Sequence, residues 1–335
     1  MQRSRITLPK LEAADVGKLE KRILWGVVFG ALVYAAIALF TDARGLFASL
    51  ASFPIGVFFA ALGLSIINYA LRFAKWQLYL KKLSFAVPTA ASFTIFIAGM
   101  SMSVTPGKIG EVLKSMLLKE RYDLPVARSA PIVFAERLTD LLGLFVIAGV
   151  GIATFDFGRP AFAAALVMVA LLIFILNQPG LVARLLNLWE KLPLVGHLRA
   201  HLDESYQAAR ALLSWRLLSG TTVLSVIGWS MEAFAFYLIL HALGAEQASF
   251  QTASFIFAMT TILGAISFLP GGLGVAEASM IGVLILMGVF ADDSLATAAT
   301  YLIRFTTLWF GVLLGLGALA WFRLGGGQTP SEAAP

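Results

Sequence analysis

Long apolar runs separated by short polar clusters set the pattern of the chain. Charge-free stretches cover 23–41, 45–71, 83–107, 160–183, 247–276 and 305–322. Each reaches or exceeds the roughly 18 residues that mark a bilayer span. Following them along the chain predicts spans at 23–40 and 54–71, a broken segment over 89–118, and spans at 129–153 and 160–177. A polar connection over 178–215 comes next, then a span at 217–243, a second broken segment over 249–290 and a last span at 295–322. The fold class expected is an all-α polytopic membrane protein with about six full spans plus two broken or re-entrant helical hairpins. Its single membrane domain, 23–323, lies between a basic amino terminus, 1–22, and a disordered tail, 324–335.

The breaks come from proline and glycine. Thr105-Pro106-Gly107 interrupts the first segment and Leu269-Pro270-Gly271-Gly272 the second; proline cannot continue the helical ladder and glycine gives the chain its turn. The surroundings also match. Thr105-Pro106-Gly107-Lys108-Ile109-Gly110 is echoed by Leu269-Pro270-Gly271-Gly272-Leu273-Gly274, and Arg137-Leu138-Thr139-Asp140-Leu141 by Arg304-Phe305-Thr306-Thr307-Leu308. Three spans, an odd number, separate the two broken segments, so the chain approaches the two breaks from opposite sides. Repeat-like halves over 89–153 and 249–322 are therefore expected to be inverted, with a binding site where the breaks meet at midplane.

Composition narrows the class further. Charged residues make up 13% of the 335 and hydrophobic residues 59%, whereas an ordinary soluble chain carries about 25% charged residues. This excludes a soluble enzyme, a nucleic-acid binder and a secreted disulfide scaffold. The chain has no cysteine, hence no disulfide, thiolate nucleophile or thiolate metal ligand. Of 25 Lys and Arg residues, 20 fall on the side of the amino terminus, 2 opposite (Arg44, Arg159) and 3 at membrane depth (Lys108, Arg137, Arg304). That bias puts both termini and the 178–215 connection in the cytoplasm, with the protein in the cytoplasmic (inner) membrane.

Several pieces together resemble the flippase-like integral membrane family typified by the transmembrane region of lysylphosphatidylglycerol synthase. They are Arg72-Phe73-Ala74-Lys75-Trp76, Thr105 to Val112, Glu136-Arg137-Leu138-Thr139-Asp140, Pro270 to Glu277, and Arg304, within a match running from about residue 20 to 322. The resemblance implies a lipid translocator. Full synthases carry a soluble aminoacyl-transfer domain after the membrane region, so enzymatic activity is not expected here, and a separate lipid-modifying enzyme becomes a candidate partner. Hopanoids, glycolipids, aminoacyl-phospholipids and polyprenyl carriers all stay open as cargo.

The chemistry follows from eight ionisable residues at membrane depth: Lys108, Glu111, Glu136, Arg137, Asp140, Glu232, Glu277 and Arg304. A single one at a helix centre costs about 2.5 to 3.5 kcal/mol, so several must pair or line water. Glu136 and Asp140 share a face with Arg137, and with Glu232 they read as structural or pairing residues beside Pro106 and Pro270. Arg304 has no acid within a turn of its own helix and needs an anion from elsewhere. A lipid phosphate fits, because half-helices starting near Gly107 and Gly271 aim free N–H groups at midplane and arginine matches phosphate oxygens with a planar fork. The candidate substrate site is thus Arg137, Arg304, Lys108, Gly107, Gly110, Gly271, Gly272, Gly274, Glu111, Glu277, Thr139 and Thr306. Glu111 and Glu277 read first as arginine partners, with proton coupling or amine binding as alternatives. Arg72 and Lys75 read first as interface anchors and second as the place where a headgroup enters.

No metal site is expected from His197 and His201, which lack a third ligand nearby. No G-x-x-x-x-G-K-[ST] stretch is present, so no nucleotide or other cofactor is expected either. Membrane lipids are the expected partners. The leading expectation is flipping of an anionic or phosphate-bearing lipid through a polar midplane groove. Its rivals are a small-solute or ion transporter and a membrane enzyme acting on a lipid headgroup.

Overall fold

A computed structural model of the chain describes residues 13–152, 159–182 and 199–324. Every regular element among them is helical, as expected where backbone groups must be satisfied within the segment that crosses hydrocarbon. The first half comprises α1 (Ala13–Phe40), α2 (Ala43–Ala51), α3 (Ile55–Lys82), α4 (Thr89–Met100), a 3-10 segment (Pro106–Val112), α5 (Leu113–Tyr122), α6 (Val126–Ile152) and α7 (Arg159–Leu176). There follow α8 (Arg199–Leu212), α9 (Trp215–Ala242), α10 (Phe250–Ile266), a 3-10 turn (Pro270–Gly272) and α11 (Val275–Leu286). The last span is α12 (Asp293–Arg304), a π-helical turn (Phe305–Trp309) and α13 (Phe310–Leu324).

Three of these are long and apolar enough to cross a membrane: Ile55–Lys82, Trp215–Ala242 and Asp293–Leu324. Val28–Leu39 and Ala43–Ala51, meeting at 112°, make a fourth if taken together. Helix α6 has 27 residues but carries Glu136, Arg137 and Asp140 along its length. Residues 183–198 of the polar connection, His197 among them, and the tail from 325 lie outside the described residues.

Both breaks exist, but neither falls where the proline alone would put it. Helix α4 ends at Met100, not at Thr105, and the amides of Ser101, Met102, Ser103 and Thr105 bond carbonyls three residues back. Tight turns of this kind satisfy the carbonyls of a helix end that cannot continue into Pro106. Regular α geometry resumes only at Leu113. At the second break Gly271, Gly272 and Gly274 all take positive φ (61°, 68° and 88°), so α11 starts at Val275. Glycine alone enters that region freely.

The two breaks pack on one another. A Cβ on Gly271 would lie 3.5 Å from the Val104 Cα, and Val104, Leu273, Leu308 and Val312 form one small apolar knot between the breaks and the last span. The last span reaches the end of α4 through Gly311 and Gly315, where a Cβ would meet the Met100 side chain and the Ser101 amide respectively. Spacing two small residues four apart lets two helix backbones approach closely. Larger cores sit to either side, one around Phe145, Phe236 and Phe255, the other around Trp76, Tyr79 and Phe96.

Candidate functional site

Helix α3 brings one face of polar residues inward. Asn68, Arg72, Lys75 and Tyr79 are spaced four, three and four apart, which lines them along one side of a helix, and all are buried. Lys75 donates to Asp140 Oδ1 (2.5 Å), Ser225 Oγ (2.6 Å) and Thr139 Oγ1 (3.3 Å), so its three N–H groups each have an acceptor. Asn68 donates to Glu232. The interfacial position expected for Lys75 is therefore corrected: its side chain is 1% exposed and tied to α6 and α9. An ammonium on a long apolar helix is most stable where a carboxylate and hydroxyls replace its water.

Lys114 needs the same correction. The charge pattern places it with the basic residues leaving the membrane, whereas the structure buries it against Glu136. Its ammonium also lies 4.8 Å from the Trp76 ring centre and 5.4 Å from that of Phe96, an arrangement in which ring faces attract a cation. Gly99 makes the room, since a Cβ there would strike the Lys114 stem. Glu136 and Asp140 are thus pairing residues, as expected, but their main partners come from α5 and α3.

The two matched arginines meet the two carboxylates that follow the breaks. Arg137 Nη2 lies 3.1 Å from Glu111 Oε2, and Nη1 3.4 Å from Asp140 Oδ2. Arg72 Nη2 approaches Glu111 Oε1 at 3.9 Å, and Ser103 donates to that oxygen at 3.3 Å. In the other half, Arg304 Nε donates to Glu277 Oε1 (2.6 Å) and Nη2 to the Gly271 carbonyl (2.8 Å). Glu277 Oε2 accepts from the Gly274 amide at 2.7 Å, and Tyr34 donates to Oε1 at 3.4 Å. The anion that Arg304 required from elsewhere in the chain is Glu277.

Other expected residues take simpler positions. Thr139 and Thr306 are buried and donate to carbonyls one turn back along their own helices. Gly110 donates its amide to Thr105 Oγ1 (2.9 Å) and has no room for a Cβ, which would sit 2.6 Å from that oxygen. Pro106 and Pro270 each open a 3-10 segment. Gly107 and Lys108 belong to the first of these, and their side-chain positions lie outside the described residues. Among the described residues no three His, Asp or Glu side chains gather as a metal site would need.

Among the described residues, two of the cavities adjoin the last span at its π turn. A polar one of about 50 Å³ is lined by Arg72, Ser103, Glu232, Trp229, Arg304 and Thr307 among others, room for a water or two. On the opposite side an apolar groove of about 580 Å³ is lined by Tyr34, Phe58, Tyr301, Phe305, Trp309 and Leu313 among others. The π turn supplies Phe305 and Trp309 to the groove and Thr307 to the polar cavity. Sequence reasoning missed Asn68, Ser103, Ser225 and Tyr34. The α3 residues carried a readable signal in the 68, 72, 75, 79 spacing; the others depend on contacts between distant helices.

Over residues 23–315 the chain matches the family described as the Lysylphosphatidylglycerol synthase TM region. Two proteins of Methanothermobacter thermautotrophicus, each named UPF0104 membrane protein, are similar to it. One is 27% identical over 222 residues, covering 62% of this chain and 66% of the relative. The other is 26% identical over 305 residues, covering 83% of this chain and 88% of the relative. The chain thus spans just under two thirds of the first relative's length. With nearly all of its described helices inside the matched region, this chain belongs to the lysylphosphatidylglycerol synthase transmembrane-region family.

Proposed function

We propose that the protein carries an anionic, phosphate-bearing lipid between leaflets, the headgroup passing the charged residues at the breaks while the tails stay in hydrocarbon. The observation that carries this reading is the pair of cavities on opposite sides of one helix. An apolar groove of about 580 Å³ suits an alkyl chain and lies beside Arg304, whose partner Glu277 is also held by the groove residue Tyr34. The polar cavity, at about 50 Å³, has room for water or a small ion but for no larger solute, which favours a lipid over a carrier of organic solutes. In the same reading the protein sits in the cytoplasmic membrane with both termini inside, about six full spans, and the two broken segments related as an inverted repeat. It works without changing the lipid covalently.

The test is translocation of a headgroup-labelled anionic phosphodiester lipid in proteoliposomes. Protein-dependent loss of label from the protected leaflet is expected, with the recovered lipid unchanged in mass. Uptake of a water-soluble solute without lipid movement would install the solute carrier instead, and a changed headgroup mass the enzyme. Orientation is read separately by single cysteines, which the cysteine-free chain permits. Glu120→Cys and Ser249→Cys, both at exposed positions, should label from opposite sides with an impermeant reagent; labelling from the same side rejects the inversion.

A further inference from the structure

The two matched guanidiniums are engaged differently. Arg304 has its Nε on Glu277 and its Nη2 on the Gly271 carbonyl. Arg137 has ion-pair partners at 3.1 and 3.4 Å, yet its buried Nε and Nη2 make no hydrogen bond among the described residues. Its side chain is 22% exposed, against 2% for Glu111. Arg72, from another helix, addresses the same Glu111 from 3.9 Å. One carboxylate therefore stands between two guanidiniums whose forks it does not fill, and phosphate oxygens fit such forks in pairs.

Competition for the guanidiniums decides what must happen when a phosphate arrives. Glu111 already occupies the space between Arg72 and Arg137. A phosphate and this carboxylate cannot both pair with the same two forks, so a proton that neutralises the carboxylate favours the anion. Protonating Asp140 would weaken the hold on Lys75, and protonating Glu136 would strand Lys114. Glu277 holds both Arg304 and the Gly274 amide. Glu232 accepts from Asn68 and lines the polar cavity with Arg72 and Arg304. Glu111 would release two guanidiniums at once.

We infer that Glu111 is the resident counter-ion of an anion site, and that a phosphodiester takes its place between Arg72 and Arg137 as Glu111 gains a proton. The inference deepens the lipid-transport reading, on which it rests for the source of the phosphate. Arg304 is a positioning residue that holds the second break to α11.

The probe is diethyl phosphate, which keeps one negative charge across the titration, added to the full chain in detergent and followed by phosphorus NMR. Binding by the native protein should tighten as pH falls, because proton and anion uptake are linked reciprocally. Glu111→Gln should bind roughly tenfold tighter near neutral pH and lose the pH dependence, while Arg137→Gln and Arg72→Gln should each weaken binding by roughly one to two decades. Arg304→Gln should keep its affinity per folded molecule, the folded fraction being read by thermal unfolding. Binding by the native protein that does not change with pH overturns the inference even if Glu111→Gln does not fold, and so does a folded Glu111→Gln that binds no tighter. Competition between diethyl phosphate and a phosphodiester lipid in nanodiscs assigns the site to a lipid headgroup. Binding of diethyl phosphate that no lipid displaces keeps the anion site and removes the lipid-transport reading.

Discussion

The two breaks look alike as strings of residues and are built on different principles. At the second, three glycines turn the chain through left-handed backbone, and Gly272 runs against Gly264 so closely that a Cβ would lie 3.0 Å from backbone atoms. Glu277 then joins the Gly274 amide to Arg304, and Arg304 returns to the Gly271 carbonyl, closing a short loop of bonds around the turn. At the first break, seven residues of 3-10 helix replace the sharp turn. There Glu111 is shared by two arginines rather than locked to one, and Arg137 keeps unfilled donors. Two similar stretches of sequence thus form one closed clasp and one more loosely held ion cluster. A clasp suits architecture; groups with unfilled donors suit a ligand.

The sharpest way to break this comparison is to remove each carboxylate. Glu277→Gln should cost about 3 to 5 kcal/mol in unfolding measurements in micelles, because it leaves a buried arginine and a helix end without their acceptor. Glu111→Gln should cost less, because the Arg137 side chain is 22% exposed and keeps Asp140 as a partner at 3.4 Å. Equal losses would show that both ion pairs are clasps.

Exchanging the arginines comes next in size. Arg137→Gln should keep its melting temperature while lipid translocation falls by roughly one to two decades, the weight of one charge-assisted contact. Arg304→Gln should lower the melting temperature and reduce translocation only in step with the folded fraction. The reverse outcome would move the working arginine to the second half.

Smaller effects separate the backbones. Gly272→Ala should lose about 1 to 2 kcal/mol from its left-handed φ, and more from contact with the Gly264 backbone. At Gly110 a Cβ would strike the Thr105 side chain, whose hydroxyl bonds the Gly110 amide and the Met102 carbonyl, so Gly110→Ala should lose about 1 kcal/mol as that bonding shifts. The smallest stability change is expected at the groove. Ala31→Phe, at an exposed position lining it, should leave unfolding within about 0.5 kcal/mol of the parent while slowing translocation several-fold. Unchanged transport by this variant would separate the groove from the lipid path.

The all-helical class and the three clear apolar spans were legible because bilayer thickness converts a length of apolar sequence directly into a helix. Proline and glycine marked both breaks, and the pairing of Arg137 with Asp140 could be read from their spacing. The limits of such reading show at Lys75 and Lys114. Each belongs to a basic cluster in the sequence, and nothing local distinguishes a lysine that reaches out to water from one that turns inward to a carboxylate. The π turn after Arg304 was equally hidden, since it moves Phe305 and Trp309 to the groove side without any proline or glycine to announce it.

The sequence by itself determined that the chain is a helical membrane protein, where its helices are interrupted, and that an arginine follows each interruption, because these depend on residues within a few turns of one another. Only the tertiary structure decided which acid answers which base, that Glu111 is shared while Glu277 is committed, and that apolar and polar cavities flank one helix. Coulomb attraction and hydrogen bonding act over a few ångströms in space, and partners such as Tyr34 and Glu277, or Lys75 and Ser225, become neighbours only when distant helices pack.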